Sequence, residues 1–509
     1  MRAVYRVADV RAAEEALMAT VPTGTLMARA AAGLARRCAL LLAEQGGVYG
    51  ARVLLLIGAG NNGGDALFAG ARLAARGAAV TALLLAPERA HAGGTAALRA
   101  AGGRFVERLP AWADLVVDGI VGIGGTGGLR PPADRIVADL GGLRSRTGGR
   151  PPVVAVDVPS GVAVDTAAVP AAPADRTRVP AVAADVTVTF GTLKPALVVD
   201  PAASLVGRVD LVDIGLTPWL AGAAPALQVI EWSDVAAWWP TLPPSSEKYA
   251  RGVVGLATGS ATYPGAAVLS VGGALAGPTG MVRYAGGAAA EVLRRYPSVI
   301  ATPRVADAGR VQAWVCGSGL GTGADAVEEL RAVLAAPVPA VLDADALNLL
   351  ADGRVTGLRD RGAPVVITPH DREFARLAGE PPGGDRVGAA LRLAARTKAV
   401  VLLKGNHTIV ATPDGRAFVN PTGTAALATG GTGDVLSGLL GSLLAAGLSP
   451  ERAALAAAYL HGLAGQEAAR QGPVTALDVA TALRPVVGRL VAATASPDRH
   501  AMSIFQQVA

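Results

Sequence analysis

The 509-residue chain is poor in cysteine, lysine and aromatic residues, and each shortage excludes something. Its two cysteines, Cys38 and Cys316, fall in different halves of the chain with no metal-ligand spacing around either. No disulfide framework is expected, and a reducing, cytoplasmic location suits the chain. Aromatics make up 4% of residues, which leaves little to stack nucleobases, and the formal charge of +6 comes almost wholly from arginines scattered without a basic block. Nucleic acid is not an expected partner, whereas small anionic ligands are compatible. Apolar runs such as Val435 to Leu448 stop short of a membrane span, and the first twenty residues lack the apolar core and cleavage site of a signal peptide, so no membrane partner is expected. Lysine occurs four times, as Lys194, Lys248, Lys398 and Lys404, and three of these fall inside or beside a motif. With arginine the default cation, a lysine here draws attention.

What is present is apolar residues, at 51%, and enough length for two or more domains. "RVLLLI" (52–57), "AVTALLL", "DLVVDGIVGIG", "PVVAVDVPSG" and "DVTVTFG" alternate with helical stretches and glycine turns. Runs apolar on both faces point to a parallel sheet covered by helices, hence an α/β, Rossmann-like three-layer domain over residues 1–215. Residues 216–244 carry prolines and tryptophans and read as a linker with a short docking helix. A second α/β domain is expected over 245–509, with "GVVGLATGS", "VQAWVCGSGLG", "PAVLDADALN", "APVVITPH" and "AVVLLKGNHTIVATP" as strands opening into polar or glycine turns. Ligands collect at such carboxyl ends of strands.

"GAGNNGGDA" (58–66) lies between a strand and a helix, where a phosphate loop belongs, although its glycine spacing is not the dinucleotide fingerprint. Alone it reads as a tight turn with an aspartate cap. Two further strand ends, "VDGIVGIGGTGG" with Asp118 and "VDVPSG" with Asp157 and Ser160, change that. Asn62, Asp118 and Ser160 offer hard oxygen ligands to a cation beside glycine loops suited to phosphate, and Asp157 faces the same edge. In this order the three stretches resemble the NAD(P)H-hydrate epimerase domain. The resemblance implies that the hydrate is bound by Asn61, Asn62, Gly63, Gly64 and Asp65, by the loop Gly122, Ile123, Gly124, Gly125, Thr126, Gly127 and Gly128, and by Asp157. It also implies potassium held by Asn62, Asp118 and Ser160.

In the second half "CGSGLG" (316–321), "DADALN" (343–348), "TPHDREFARL" (368–377), "KGNHT" (404–408) and "NPTGTAALATGGTGD" (420–434) follow one another. Singly each has a plain structural explanation, such as strand-end caps. Together they resemble the ADP- or ATP-dependent NAD(P)H-hydrate dehydratase, a member of the ribokinase-like superfamily. The resemblance implies nucleotide contacts from Lys404, Gly405, Asn406, His407, Thr408 and Gly433, and hydrate contacts from Ala266, Gly319, His370 and Asp434. It implies magnesium as well, with Glu373 helping to organise it.

The glycine turn 430–433 aims backbone N–H groups and a helix dipole at the phosphoryl group in transfer. Asp434, at that helix start, is then the base for the hydrate's hydroxyl, and with Asp157 makes up the expected catalytic set. A homo-oligomer is expected. Two rivals stay open on sequence: a kinase for a small alcohol such as a vitamin precursor, which releases a stable phosphorylated product, and a nucleotide-binding protein with an inactive N-terminal domain.

Overall fold

A computed structural model describes residues 1–172, 174–175, 177–241 and 247–495, with 494 and 495 described by backbone alone. The expected boundary at 244/245 lies outside the described residues. The chain divides into two compact units, Ala3–Leu227 and a second made of Gln228 onward with Met1 and Arg2. Both are α/β, as the alternation of apolar runs and helical stretches requires.

The first unit holds a seven-stranded sheet in the order Arg104–Val106, Ala79–Leu84, Arg52–Ile57, Leu115–Gly119, Val153–Val156, Val186–Phe190, Arg208–Val212, paired in parallel throughout. The side-chain period of two explains the all-apolar strands. Val53, Leu55 and Ile57 enter one core, under the helices Val7–Met18, Thr25–Glu44 and Asn61–Ala74. Leu54 and Leu56 enter the other, with Ala133 and Val137 of the helix Ala133–Asp139. The edge strands Arg104–Val106 and Arg208–Val212 are partly exposed and carry charge, so no apolar run announces them. From Arg52–Ile57 the chain builds outward one way and then returns to build the other way from Leu115–Gly119. The crevice beyond these two strand ends is the topological switch point, where such folds bind ligands.

The second unit holds a sheet ordered Leu227–Val229, Ala417–Asn420, Thr408–Ala411, Val400–Leu403, Val365–Ile367, Ala340–Leu342, Ala313–Cys316, Val253–Ala257, Met281–Ala285, Ile300–Thr302. Its pairings are parallel from Ile300–Thr302 to Val400–Leu403, and an antiparallel hairpin then turns at residues 404–407. The switch point here lies between Val253–Ala257 and Ala313–Cys316. The helices Pro264–Ala276 and Thr432–Ala445 cross at backbone contact distance: a Cβ on Gly438 would stand 1.9 Å from the Ser270 carbonyl oxygen, and one on Gly273 2.1 Å from that of Val435. Glycine in so apolar a helix is therefore a packing requirement. Within 216–241 the chain forms the helices Thr217–Leu220 and Trp232–Trp238 and the short strand Leu227–Val229. Val235 and Trp239 pack into the core of the second unit.

Candidate active sites

At the first switch point the turn 58–60 runs so close to the next loop that a Cβ on Gly58 would stand 2.0 Å from the Ile120 carbonyl oxygen. A cavity of about 1640 Å³ opens above, lined by Asn61, Asn62, Asp65, Asp157, the loop 122–128 and, from the first helix, Glu14. Gly63 and Gly64 are buried inside the helix and do not line it. Asp157 sits in a left-handed backbone conformation (φ 69°). Its Oδ1 accepts from Lys194 Nζ at 2.6 Å and from Thr189 Oγ1 at 3.0 Å. Lys194 is 1% exposed and also donates to the Phe190 carbonyl at 2.9 Å.

Asp65 has the opposite surroundings. Its Oδ1 is buried without a hydrogen-bond partner. Burial, then the charges of Asp157 and Glu14, push its pKa up to about 8. Burial and Asp157 likewise raise Glu14, against the pull of Lys194 and Arg11.

Asp118 and Ser160 lie beneath the cleft, both fully buried. Ser160 donates to Asp118 through its hydroxyl (2.6 Å) and its N–H (2.8 Å). Asn62 joins them at the same strand ends: with its amide turned to satisfy both neighbours, Nδ2 donates to the Val156 carbonyl at 3.0 Å and Oδ1 accepts from Gly122 N–H at 3.3 Å. Burial lifts Asp118 to about 6 against the hydrogen bonds of Ser160 and Ile120.

In the second unit Asp434 stands in the first turn of Thr432–Ala445, behind a left-handed Gly431 (φ 88°). Lys404, at the end of its strand, reaches the same point: a Cβ on Gly433 would stand 3.5 Å from Lys404 Nζ and 3.7 Å from Asp343 Oδ2. Lys404 Nζ donates to Asp343 Oδ1 at 2.8 Å and lies 3.6 Å from Glu373 Oε2. Burial opposes its charge, but Asp343, Glu373 and Asp434 outweigh burial and raise its pKa. Asp343 Oδ2 accepts from Ser437 Oγ at 2.7 Å, one turn into the helix. Burial and then the charge of Asp343 push Asp434 up to about 7, against Ser318 and Lys404.

Around this centre, Gly319 (φ 62°) and Ala266 touch, since a Cβ on Gly319 would stand 2.7 Å from that of Ala266. His370 caps the helix Asp371–Ala378: its Nδ1 accepts from the N–H groups of Arg372 (3.1 Å) and Glu373 (3.3 Å). Gly405, Asn406 and His407 form the hairpin turn, closed by Thr408 Oγ1 donating to the Gly405 carbonyl at 3.1 Å.

Residues 254–484 match the family model described as NAD(P)H-hydrate dehydratase, and residues 23–196 the one described as YjeF-related protein N-terminus. The bifunctional NAD(P)H-hydrate repair enzyme of Mycobacterium tuberculosis is 50% identical over 457 residues, 89% of this chain and 91% of its own. That of Mycobacterium leprae is 48% identical over 500 residues, 97% of this chain and 100% of its own. The chain belongs to the bifunctional NAD(P)H-hydrate repair enzymes. Among solved structures, an ADP/ATP-dependent NAD(P)H-hydrate dehydratase from Bacillus subtilis, co-crystallised with ATP and Mg2+, is 30% identical, covering 52% of this chain and 99% of that one with a TM-score of 0.48.

This NAD(P)H-hydrate repair enzyme combines a lyase and an isomerase, and the motifs recognised in sequence fall at or just beyond the carboxyl ends of strands in its two sheets. Sequence reasoning gave no role to Asp343, Ser437, Glu14 or Lys194. Asp343 lay inside a quoted motif, and the scarcity of lysine was the available signal for Lys194. Glu14 and Ser437 had none. Among the described residues, no helix is long and apolar enough to cross a membrane.

Proposed function

We propose that the N-terminal unit interconverts the R and S epimers of NAD(P)H hydrate in the cleft carrying Asp65 and Asp157, and that the C-terminal unit dehydrates the S form at Asp434 with ADP or ATP as phosphoryl donor. The observation that carries the second half is Asp434 at a helix start beside Lys404, its pKa lifted to about 7. Such a carboxylate is ionised near neutrality yet basic enough to take a hydroxyl proton. The hydrate's C6 hydroxyl gives its proton to Asp434 as its oxygen takes the terminal phosphoryl group of the nucleotide. Phosphate then leaves with the C6–O electrons, pushed by the ring-nitrogen lone pair, and loss of a C5 proton restores NAD(P)H. The bare N–H groups of the helix start and the Lys404 ammonium face the charge that grows on the phosphoryl oxygens.

Hydrate contacts are assigned to Ala266, Gly319 and His370, whose Nε2 lies 3.5 Å from Glu373 Oε1. Nucleotide contacts are assigned to Lys404–Thr408 and Gly433. In the N-terminal unit the hydrate is assigned to Asn61–Asp65, the loop 122–128 and Asp157. The functional domains proposed are 1–215 and 245–509, joined by 216–244.

A potassium ion fits Asn62, Asp118 and Ser160: Asp118 is a buried carboxylate whose surroundings are dipoles without a cation, and one positive charge neutralises it. Held by these three residues, it would supply positive charge at the strand ends beside the glycine loops. For magnesium, among the described residues no cluster of three or more His, Cys, Asp or Glu is set to hold a metal. Asp343 and Glu373 already face Lys404, so a magnesium ion would come with the nucleotide, with Glu373 as the residue that helps to hold it, and would supply positive charge to the phosphates. Two buried free thiols agree with a cytoplasmic location, and a homo-oligomer is proposed with it.

The test mixes the purified chain with NADH hydrate, magnesium and ADP or ATP and follows the reduced-nicotinamide absorbance. Recovery that requires nucleotide and releases one phosphate per NADH is the expected result. A stable phosphorylated product without NADH recovery would indicate the small-alcohol kinase instead.

A further inference from the structure

We propose that Asp65 and Asp157 are the acid and the base of the epimerisation, each facing one side of C6 of the bound hydrate. The inference rests on the N-terminal unit being the epimerase. The strands that lead into their loops, Arg52–Ile57 and Val153–Val156, flank Leu115–Gly119, so the two strand ends stand two steps apart, about 9.6 Å. The charge of Asp157 acts on Asp65, and the loop 122–128 lines the same cavity as both. Both residues line the one cavity.

Their partners divide the roles. Asp157 is fastened through Oδ1 to the ammonium of a fully buried Lys194, 2.6 Å away. Asp65 has a buried oxygen with no partner, and the charges acting on it are those of Asp157 and of Glu14 on the helix Val7–Met18, both negative. The positive groups nearby, Lys194 and Arg11, act on Glu14. A carboxyl so placed keeps its proton near neutrality, and a second carboxyl beside it that already faces an ammonium completes an acid–base pair.

The proton of Asp65 passes to the C6 hydroxyl, the C6–O bond breaks and water leaves. The ring-nitrogen lone pair closes an N1=C6 iminium, which makes the carbon planar. A second water attacks the opposite face, its oxygen forming the new C6–O bond and its proton going to Asp157. The two carboxyls have exchanged protonation states; the reverse reaction runs from that state, and the open cleft lets solvent reset it.

The experiment uses the full chain, a mixture of NADH-hydrate epimers, ADP and magnesium. In the wild type, absorbance returns first from the S fraction and then from the R fraction at the pace of epimerisation. Asp65→Asn is expected to leave the first part intact and slow the second about 100-fold or to the spontaneous rate, without raising KM for the R form. Epimerisation in H218O without nucleotide is expected to place solvent oxygen on C6 in step with inversion. Asp157→Asn is paired with Lys194→Met, so that no buried ammonium is left unpaired. A second part within threefold of wild type in Asp65→Asn, or inversion without solvent oxygen, overturns the pair. A wild-type second part already at the spontaneous rate overturns the epimerase assignment itself.

Discussion

Lys404 Nζ and Asp343 Oδ1 lie 2.8 Å apart at the foot of the helix Thr432–Ala445, with Glu373 on the other side of the ammonium. The lysine expected from sequence to meet nucleotide is thus anchored by one carboxylate from a strand end, Asp343, and one from a helix start, Glu373, and its Nζ lies beside Gly433. Lys404→Met strands a carboxylate that is 2% exposed at Asp343, so unfolding free energy is expected to fall by about 3–5 kcal/mol. Asp343→Asn combined with Lys404→Met is expected to recover much of that loss without recovering activity. Denaturant unfolding of the two variants decides it.

Gly433 separates binding from folding. A Cβ there meets Lys404 Nζ at 3.5 Å and Asp343 Oδ2 at 3.7 Å, ordinary contact distances, within a helical turn that alanine adopts readily. Gly433→Ala is therefore expected to keep the wild-type Tm within a few degrees while its methyl occupies the place of the transferred phosphoryl. Dehydratase turnover is expected to fall at least about tenfold, checked by the absorbance assay.

Asp434 sets a pH dependence with a defined sign. A base must be ionised, so dehydratase kcat/KM is expected to rise with pH, reach half its plateau near pH 7, and stand about tenfold lower at pH 6. Asp434→Asn is expected to lose turnover by orders of magnitude. Its folded-state pKa is raised, so above pH 7 the ionised carboxylate costs stability, and the variant is expected to be more stable at pH 8 by about 1–3 kcal/mol. A less stable variant would contradict the burial argument.

His461 gives a second pH signature, this time of stability. Its Nε2 donates to the Thr432 carbonyl at 2.9 Å, and burial holds its pKa down at about 4. The unfolded chain takes up a proton below 6.5, whereas the folded chain does not until about 4, so stability is expected to be lost across that window as pH falls, by about 3 kcal/mol in all. His461→Gln keeps a donor and is expected to flatten that slope in denaturant titrations.

The potassium assignment predicts an ion-specific effect. Thermal unfolding of the N-terminal unit is expected to shift upward in KCl relative to choline chloride at equal ionic strength. In Asp118→Asn the difference is expected to vanish, because the neutral isostere no longer needs a counter-charge.

The chain order alone determined the α/β class, the glycine turns at strand ends and the buried helix that follows Asp434. Each is written in a period of two or 3.6 residues, or in a contiguous motif of a few positions. Which distant residues meet was decided by the order of strands in the sheets. Lys194 reaches Asp157 across 37 positions, Lys404 reaches Asp343 across 61, and Ser437 reaches it across 94. Adjacent parallel strands put their carboxyl ends side by side however far apart they lie in sequence. The environments that set Asp434 near 7 and Asp65 near 8 come from burial and neighbouring charge. Both are sums over side chains brought together from separate strands and helices, so no local pattern carries them, and only the folded chain fixes them.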